Sequence, residues 1–275
     1  MHRIAALLCP LLLLSVPAAA QERCQHAESR ELALDIGDAR TVVFDIGASE
    51  LRLDGKAGAA GHVGGQACAS HADGLAQLTL TQERVGDKLV VRAVREPRSG
   101  LSLGNHYAYL KLTGTVPADV AAQVDVGSGD AWIRGTRSLA LDVGSGDAEV
   151  RDIRGPVWAK VGSGDIRLED TGPLEVLSIG SGDFVASGVG GAVGVGSIGS
   201  GDFELSRARG DVRIGSIGSG DAELREIDGS VTVDSIGSGD IDVADVRGGL
   251  QVRSSGSGSI DHENVTGSVD LPRRR

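Results

Sequence analysis

Seven aspartates recur in the second half of the chain, each closing a Gly-Ser-Gly-Asp motif. Aspartate carboxylates accept backbone N–H groups at tight corners, which would give these residues a structural role. Carboxylates beside glycine-rich turns are also ligands that Ca²⁺ prefers, so a weaker alternative is a calcium site whose removal by EDTA lowers the melting temperature. The seven residues are Asp130, Asp147, Asp165, Asp183, Asp202, Asp221 and Asp240.

The motifs mark a repeat, because successive copies begin 17, 18, 18 and then 19 residues apart. Two segments with the spacing apolar-x-apolar-x-x-apolar follow each motif, as in Phe203, Leu205 and Ala208. Alternation predicts strands with inward apolar side chains, and the extra residue before the third position marks a corner. One repeat cannot bury its own apolar face, whereas a stack of repeats can.

The first glycine of each motif is a candidate structural residue. Glycine permits a positive φ and lets neighbouring backbones approach closely, and we expect both at this corner. These glycines are Gly127, Gly144, Gly162, Gly180, Gly199, Gly218, Gly237 and Gly256, the last of which begins a Gly-Ser-Gly-Ser copy.

The predicted fold is all-β, a single-stranded β-solenoid (β-helix) with coils of about 19 residues and an N-terminal β cap region. We divide the chain into a signal peptide (1–20), an N-terminal β region (21–120), the repeat β-solenoid (121–271) and a basic tail (272–275). Residues 47–50, Gly-Ala-Ser-Glu, resemble a degenerate motif copy, while residues 55–65 and 97–105 are predicted loops.

The first twenty residues have the form of a cleaved secretory signal, with a basic start, an apolar run and Ala18-Ala19-Ala20 before Gln21. A lipid anchor on Cys9 is the alternative, but the small residues expected before a lipoprotein cysteine are missing. The apolar run is too short for a spanning helix, which needs ~20 residues. We expect export to the periplasm or cell surface without membrane insertion.

Two cysteines, Cys24 and Cys68, remain after signal cleavage. In an oxidising compartment such a pair predicts one disulfide, and two unpaired thiols are the alternative. The bridge would tie the new N-terminus to the predicted loop around Cys68.

Composition and spacing argue against several functions. The net charge of −11 disfavours nucleic acid and anionic membrane surfaces as partners. No histidine pair has a zinc-type spacing, and a metal site at His62, Cys68 and His71 is only a weak alternative to a glycine-rich loop. A nucleophile elbow needs one strained serine with a base and an acid, which a repeated Gly-Ser-Gly does not supply. The prediction is therefore no enzyme and no cofactor, apart from the calcium alternative.

The stretch from His-Tyr-Ala-Tyr-Leu-Lys-Leu at residues 106–112, through Val116-Pro117 and into the array, resembles a family of bacterial envelope proteins. These carry a domain of unknown function often labelled "putative adhesin", and the resemblance spans residues 30–271. It implies repeated Gly-Ser-Gly-Asp coils and supplies no catalytic residues.

Together these observations predict an exported, non-enzymatic surface interaction module, or adhesin, whose partner is an unidentified envelope or extracellular protein or glycan. A periplasmic structural or signalling scaffold is the alternative, and a polysaccharide-active enzyme is the third candidate. The sequence leaves the oligomeric state open.

Overall fold

The computed structural model describes residues 24–96 and 106–273. The predicted signal peptide, the predicted loop at 97–105 and the last two tail residues lie outside the described residues. Two 12-stranded sheets enclose one continuous apolar core, and none of the described helices is long and apolar enough to cross a bilayer.

The strands alternate between the two sheets along most of the chain. In chain order the elements are β1 (His26–Ala33), β2 (Thr41–Gly47), β3 (Glu50–Lys56), β4 (His62–Ala69), α1 (Ala72–Leu75), β5 (Leu78–Val85), β6 (Lys88–Arg95), β7 (Ala108–Pro117), β8 (Ala121–Val126), β9 (Ala131–Arg134), β10 (Leu139–Val143), β11 (Ala148–Ile153), β12 (Val157–Val161), β13 (Ile166–Thr171), β14 (Leu174–Ile179), β15 (Phe184–Val189), β16 (Val193–Ile198), β17 (Phe203–Ala208), β18 (Val212–Ile217), β19 (Ala222–Ile227), β20 (Val231–Ile236), β21 (Ile241–Val246), β22 (Leu250–Val252), β23 (Ile260–Val265) and β24 (Val269–Asp270). We call the sheet that ends in β23 sheet A and the sheet that ends in β24 sheet B.

Each coil of the array places one strand in each sheet, which confirms the predicted β-solenoid. In β17 the buried residues are Phe203, Leu205 and Ala208, and β18 repeats the same pattern. Parallel pairing without a shift stacks like positions, so Phe184 lies beside Phe203 with ring centroids 5.9 Å apart. The inward spacing read from the sequence is therefore the spacing of the core.

The Gly-Ser-Gly-Asp corner brings neighbouring coils too close for side chains. A Cβ on Gly218 would lie 2.6 Å from the carbonyl oxygen of Gly199, and one on Gly201 would overlap the carbonyl oxygen of Gly182. None of the motif glycines has a positive φ. The predicted close approach is confirmed, and the expected left-handed conformation is wrong.

Left-handed residues occur instead at the opposite corner of each coil, just before the third apolar position. Their φ angles lie between 54° and 73°, and most of them are not glycine. Each such side chain costs roughly 1–2 kcal/mol relative to a right-handed conformation, so the fold accepts strain to turn this corner. The residues are Gly135, Asp152, Asp170, Gly188, Arg207, Glu226, Asp245 and Asn264.

The motif aspartates form a ladder of hydrogen bonds from coil to coil. The backbone N–H of Asp202 donates to Oδ1 of Asp183 over 3.1 Å, and the N–H of Asp221 donates to Oδ1 of Asp202 over 2.9 Å. The ladder ends at Ser259, whose N–H donates to Asp240 over 2.7 Å and lowers the pKa of that carboxyl. A lowered pKa means that the ionised group stabilises the fold above the ordinary value of ~3.9, and that this stability is lost as the pH falls below it.

The N-terminal half belongs to the same stack but enters it out of order. Strands β2 and β3 form one coil, and Gly127 N–H donates to Gly47 of its degenerate motif over 2.9 Å. Strands β6 and β7 pair in parallel with the other side of that coil, and the chain then returns to β8 and β9. The coil of β2 and β3 is thus enclosed between a later coil and the array.

Antiparallel strands close this end of the rod. Strand β4 pairs with β7, β5 pairs with β6, and β1 pairs with β4 as the outermost strand. The Cys24–Cys68 disulfide, with a Cα–Cα distance of 5.2 Å, joins the segment before β1 to β4. Cys68 therefore lies in a strand and not in the predicted loop. The loop predicted at residues 55–65 is too long, because β3 extends into its start and β4 into its end.

The other end of the rod carries polar residues at inward positions. His262 lies beside Val243 in the pairing of β21 with β23, and Ser255 lies opposite Ile236. Polar inward residues on an edge strand disfavour pairing with another chain.

Deleting residues 199–217 should leave a folded, shorter rod, because the flanking coils then meet in register. Deleting residues 199–208 should unfold it, because every later apolar column would face the wrong side. Circular dichroism and urea unfolding measure both outcomes. An equal loss of strand signal and of unfolding free energy in the two deletions would contradict the solenoid.

Replacing Asp202 with alanine should lower the free energy of unfolding by about 0.5–1.5 kcal/mol, because the N–H of Asp221 loses its acceptor. Asp202→Asn keeps an oxygen acceptor and should stay near the wild type in urea unfolding. Asp242→Ala, at an exposed outward position, is the control and should have little effect. If Asp202→Asn lowers the free energy of unfolding as much as Asp202→Ala does, the negative charge of Asp202 stabilises the fold and its role as a hydrogen-bond acceptor does not.

Glycine and valine variants should differ in stability in opposite directions at two exposed glutamates. The glycine variant should be the more stable at one site and the less stable at the other. At Glu226, which has a φ of 56°, Glu226→Val should be less stable than Glu226→Gly by about 1–2 kcal/mol. At Glu204, an outward position within β17, glycine should be the worse residue by about 0.5–1 kcal/mol. The same ranking at both sites in urea unfolding would show that left-handed strain is absent.

Candidate functional site

The predicted calcium ligands serve first as hydrogen-bond acceptors. From Asp130 to Asp240, one carboxylate oxygen of each ladder aspartate accepts an N–H from the next coil. Among the described residues, no group of three or more His, Cys, Asp or Glu side chains is arranged to hold a metal ion. Calcium binding by the ladder stays a prediction, to be tested with EDTA.

The histidines and cysteine that are close in sequence do not form one site. His62 Nε2 pairs with Glu31 over 2.7 Å at the start of β4. Cys68 is bonded to Cys24, and His71 lies beyond the end of β4, where its Nδ1 is 3.2 Å from Nδ1 of His106. The extended strand between His62 and His71 separates these contacts, so the weak metal hypothesis for the trio is wrong.

A groove of about 970 Å³ runs along the left-handed corner of the array. It reaches from the coil of Ile153 to that of Thr266, which is six steps of ~4.8 Å, or roughly 29 Å. We call it the corner groove and define it by two rows of residues. The left-handed row is Asp170, Gly188, Arg207, Glu226, Asp245 and Asn264, and the turn row is Arg154, Gly172, Gly190, Arg209, Asp228, Arg247 and Thr266.

The corner groove carries balanced charge on an acidic protein. Its four arginines match four carboxylates, whereas the whole chain has a net charge of −11. Two neighbouring coils carry charges of opposite sign, since Arg207 and Arg209 share one coil and Glu226 and Asp228 share the next. An extended ligand that bears both signs of charge would therefore find complementary groups along this surface.

Some of these charges are already paired within the protein. Arg247 contacts Asp228 over 2.9 Å, and Arg207 donates to Ser187 Oγ over 2.8 Å. The guanidinium groups of Arg154 and Arg209 have no hydrogen-bond or ion-pair partner among the described residues. Two guanidinium groups of the groove are thus available to a carboxylate, sulfate or phosphate on a ligand.

One glycine opens a gap beside one of these arginines. Gly190 lies in the coil before Arg209, whose N–H donates to the carbonyl of Val189 over 3.0 Å, whereas the Asp170 carboxylate occupies the space beside Gly188. Because Gly190 has no side chain, a ligand can approach the backbone next to the guanidinium group.

Sequence reasoning missed the corner groove. One signal in the sequence pointed to this corner. An extra residue precedes each third apolar position and interrupts the alternation of inward and outward side chains. Nothing in the sequence shows that these positions are left-handed, or that they stack into a recess.

One family model matches part of the chain. Residues 157–265 match the model of the family described as "Putative auto-transporter adhesin, head GIN domain". No curated protein matches the chain.

Three solved structures match this chain at low sequence identity. A "putative lipid binding protein" from Parabacteroides distasonis is 18% identical over 90% of this chain and 98% of its own, with a TM-score of 0.44. A "putative adhesin" from the same organism is 13% identical over 90% and 97%, with a TM-score of 0.34. A "putative cell adhesion protein" from Clostridium sporogenes is 10% identical over 90% and 100%, with a TM-score of 0.28.

At these identities and TM-scores the solved structures carry no argument about function, so the family match stands on the sequence of the array. That match covers β12 through β23 and leaves the N-terminal cap outside it. Residues 157–265 are therefore similar in sequence to the "Putative auto-transporter adhesin, head GIN domain" family.

Proposed function

We propose that this chain is an exported, non-enzymatic interaction module of the bacterial envelope, which adheres to an extracellular partner through the corner groove. The observation that carries the proposal is the mixed-charge recess that runs across consecutive coils of the array. The family description supports the same kind of role.

The coils suit adhesion because they hold the groove rigid. Backbone hydrogen bonds join every coil of the array to its neighbours, and the motif corner repeats nearly unchanged. A preformed groove loses little conformational entropy on binding, so modest contacts spread over many coils can add up to useful affinity. Repeat proteins commonly use extended surfaces in this way.

A polysaccharide-active enzyme is the third candidate, and it is considered because acidic and basic side chains share this groove. Catalysis on a glycosidic bond needs a carboxylic acid whose pKa is raised, usually by burial. The four acids of the groove, Asp170, Glu226, Asp228 and Asp245, are exposed to solvent. Their exposure favours binding over catalysis, and release of reducing ends from polysaccharides incubated with the protein would reverse that preference.

A periplasmic scaffold is the alternative location and role. Protease shaving of intact cells separates it from surface adhesion. Release of array fragments from intact cells would support adhesion, whereas full protection until the outer membrane is broken would overturn it in favour of the scaffold.

Charge reversal at Arg209 should weaken adhesion without affecting folding, because this guanidinium group has no partner within the described residues. Beads coated with the purified chain would be counted on surfaces coated with mucin, fibronectin or collagen. We expect retention on at least one surface and a loss of fivefold or more in Arg209→Glu.

Arg167→Glu is the matched control, since Arg167 is exposed on sheet A outside the groove and likewise has no ion pair among the described residues. It changes the net charge equally and should reduce retention by less than twofold. Equal losses in both variants, or no retention of the wild type on any surface, would contradict adhesion through the groove.

A further inference from the structure

An exposed tryptophan lies on the outward face of sheet B. Trp158, in β12, keeps 45% of its surface exposed. The other tryptophan, Trp132, is covered by the guanidinium group of Arg52 at 4.0 Å from its ring centroid. Aromatic residues form only 3% of this chain, so a ring left in solvent is unusual here and marks a candidate contact point.

The neighbours of Trp158 leave its ring open on both flanks. Ala140 of β10 lies on one side and carries only a methyl group. Glu175 of β14 lies on the other side, and its carboxylate extends over Gly194, where a Cβ would overlap Oε2. No donor to Glu175 is present among the described residues, so this carboxylate is free to accept hydrogen bonds.

A flat area of backbone extends from the ring across the next coils. Leu177, with 60% of its surface exposed, lies at the near edge. Gly196 and Gly215 follow on the same sheet and have no side chains to obstruct a ligand, whereas the Glu175 carboxylate lies over Gly194. We call the surface of Trp158, Leu177, Glu175 and these three glycines the Trp158 platform.

The size and charge of this platform select its occupant. A stable protein interface buries ~800 Å² on each partner, whereas the apolar part of the platform is one indole ring and one leucine. A sugar ring needs a smaller contact area than a protein does. It combines an apolar C–H face for stacking with hydroxyl groups that donate to carboxylates. The net charge of −11 repels uronic or sulfated glycans, so an uncharged sugar fits best.

We infer that the Trp158 platform binds a neutral oligosaccharide, with one sugar ring stacked on Trp158 and a hydroxyl group donating to Glu175. The inference goes beyond adhesion through the corner groove, because it concerns a different surface and names its ligand class. Each of the two can fail without the other.

Tryptophan fluorescence provides a direct test, since the chain has only two tryptophans. Trp132→Phe leaves Trp158 as the sole emitter and would be titrated with the hexasaccharides of β-linked glucose, N-acetylglucosamine and α-linked glucose. We expect a saturable blue shift or intensity change with at least one of them. Trp158→Phe, which retains Trp132, should show no change, and Glu175→Ala should weaken binding fivefold or more.

Glu204→Ala, an exposed glutamate on sheet A, is the control and should bind as Trp132→Phe does when made in that background. Circular dichroism verifies that each variant is folded. We expect the Trp158 variants to fold, because this side chain is exposed. A glycan array probed with the unmodified chain extends the search to other neutral sugars. No binding to any array member, or equal array binding by Trp158→Ala, would overturn the inference, whatever the result of the bead assay.

Discussion

The close approach of neighbouring coils at the Gly-Ser-Gly-Asp corner is the constraint on which the rest of this structure depends. Gly218 donates its N–H to the carbonyl of Ile198 over 2.7 Å, and Ser219 donates to Gly199 over 2.8 Å. Only glycine fits where a Cβ would meet the carbonyl of the coil before it. Because this contact fixes how each coil lies on the last, the apolar columns stack without a shift and the core stays continuous.

The same constraint explains where variation is possible. The motif corner repeats nearly unchanged because any side chain at its glycines would push two coils apart. At the opposite corner the left-handed row includes Asp170, Arg207 and Glu226, whose side chains are exposed to solvent. Chemistry can therefore differ from coil to coil only at this corner and on the outward faces of the sheets. The corner groove and the Trp158 platform both lie in that variable part of the surface.

The two ends of the rod solve the problem of exposed strand edges differently. At one end antiparallel strands cover the coil of β6 and β7, and the Cys24–Cys68 disulfide holds the outermost strand in place. At the other end a histidine and a serine replace apolar residues at inward positions of the last coil. A covered edge and a polar edge both discourage pairing with other chains.

The sequence by itself determined the parts of this protein that repeat locally. The period, the inward columns such as Phe203 and Leu205, and the two corners of each coil follow from spacing within about 19 residues. Only the tertiary structure decided the order of the N-terminal coils, because β2 lies beside β6 and β8 through pairings that no local pattern encodes. Only stacking could bring Arg209 beside the gap at Gly190 and leave Trp158 exposed, because these neighbours come from different coils and meet only when the coils pack in register.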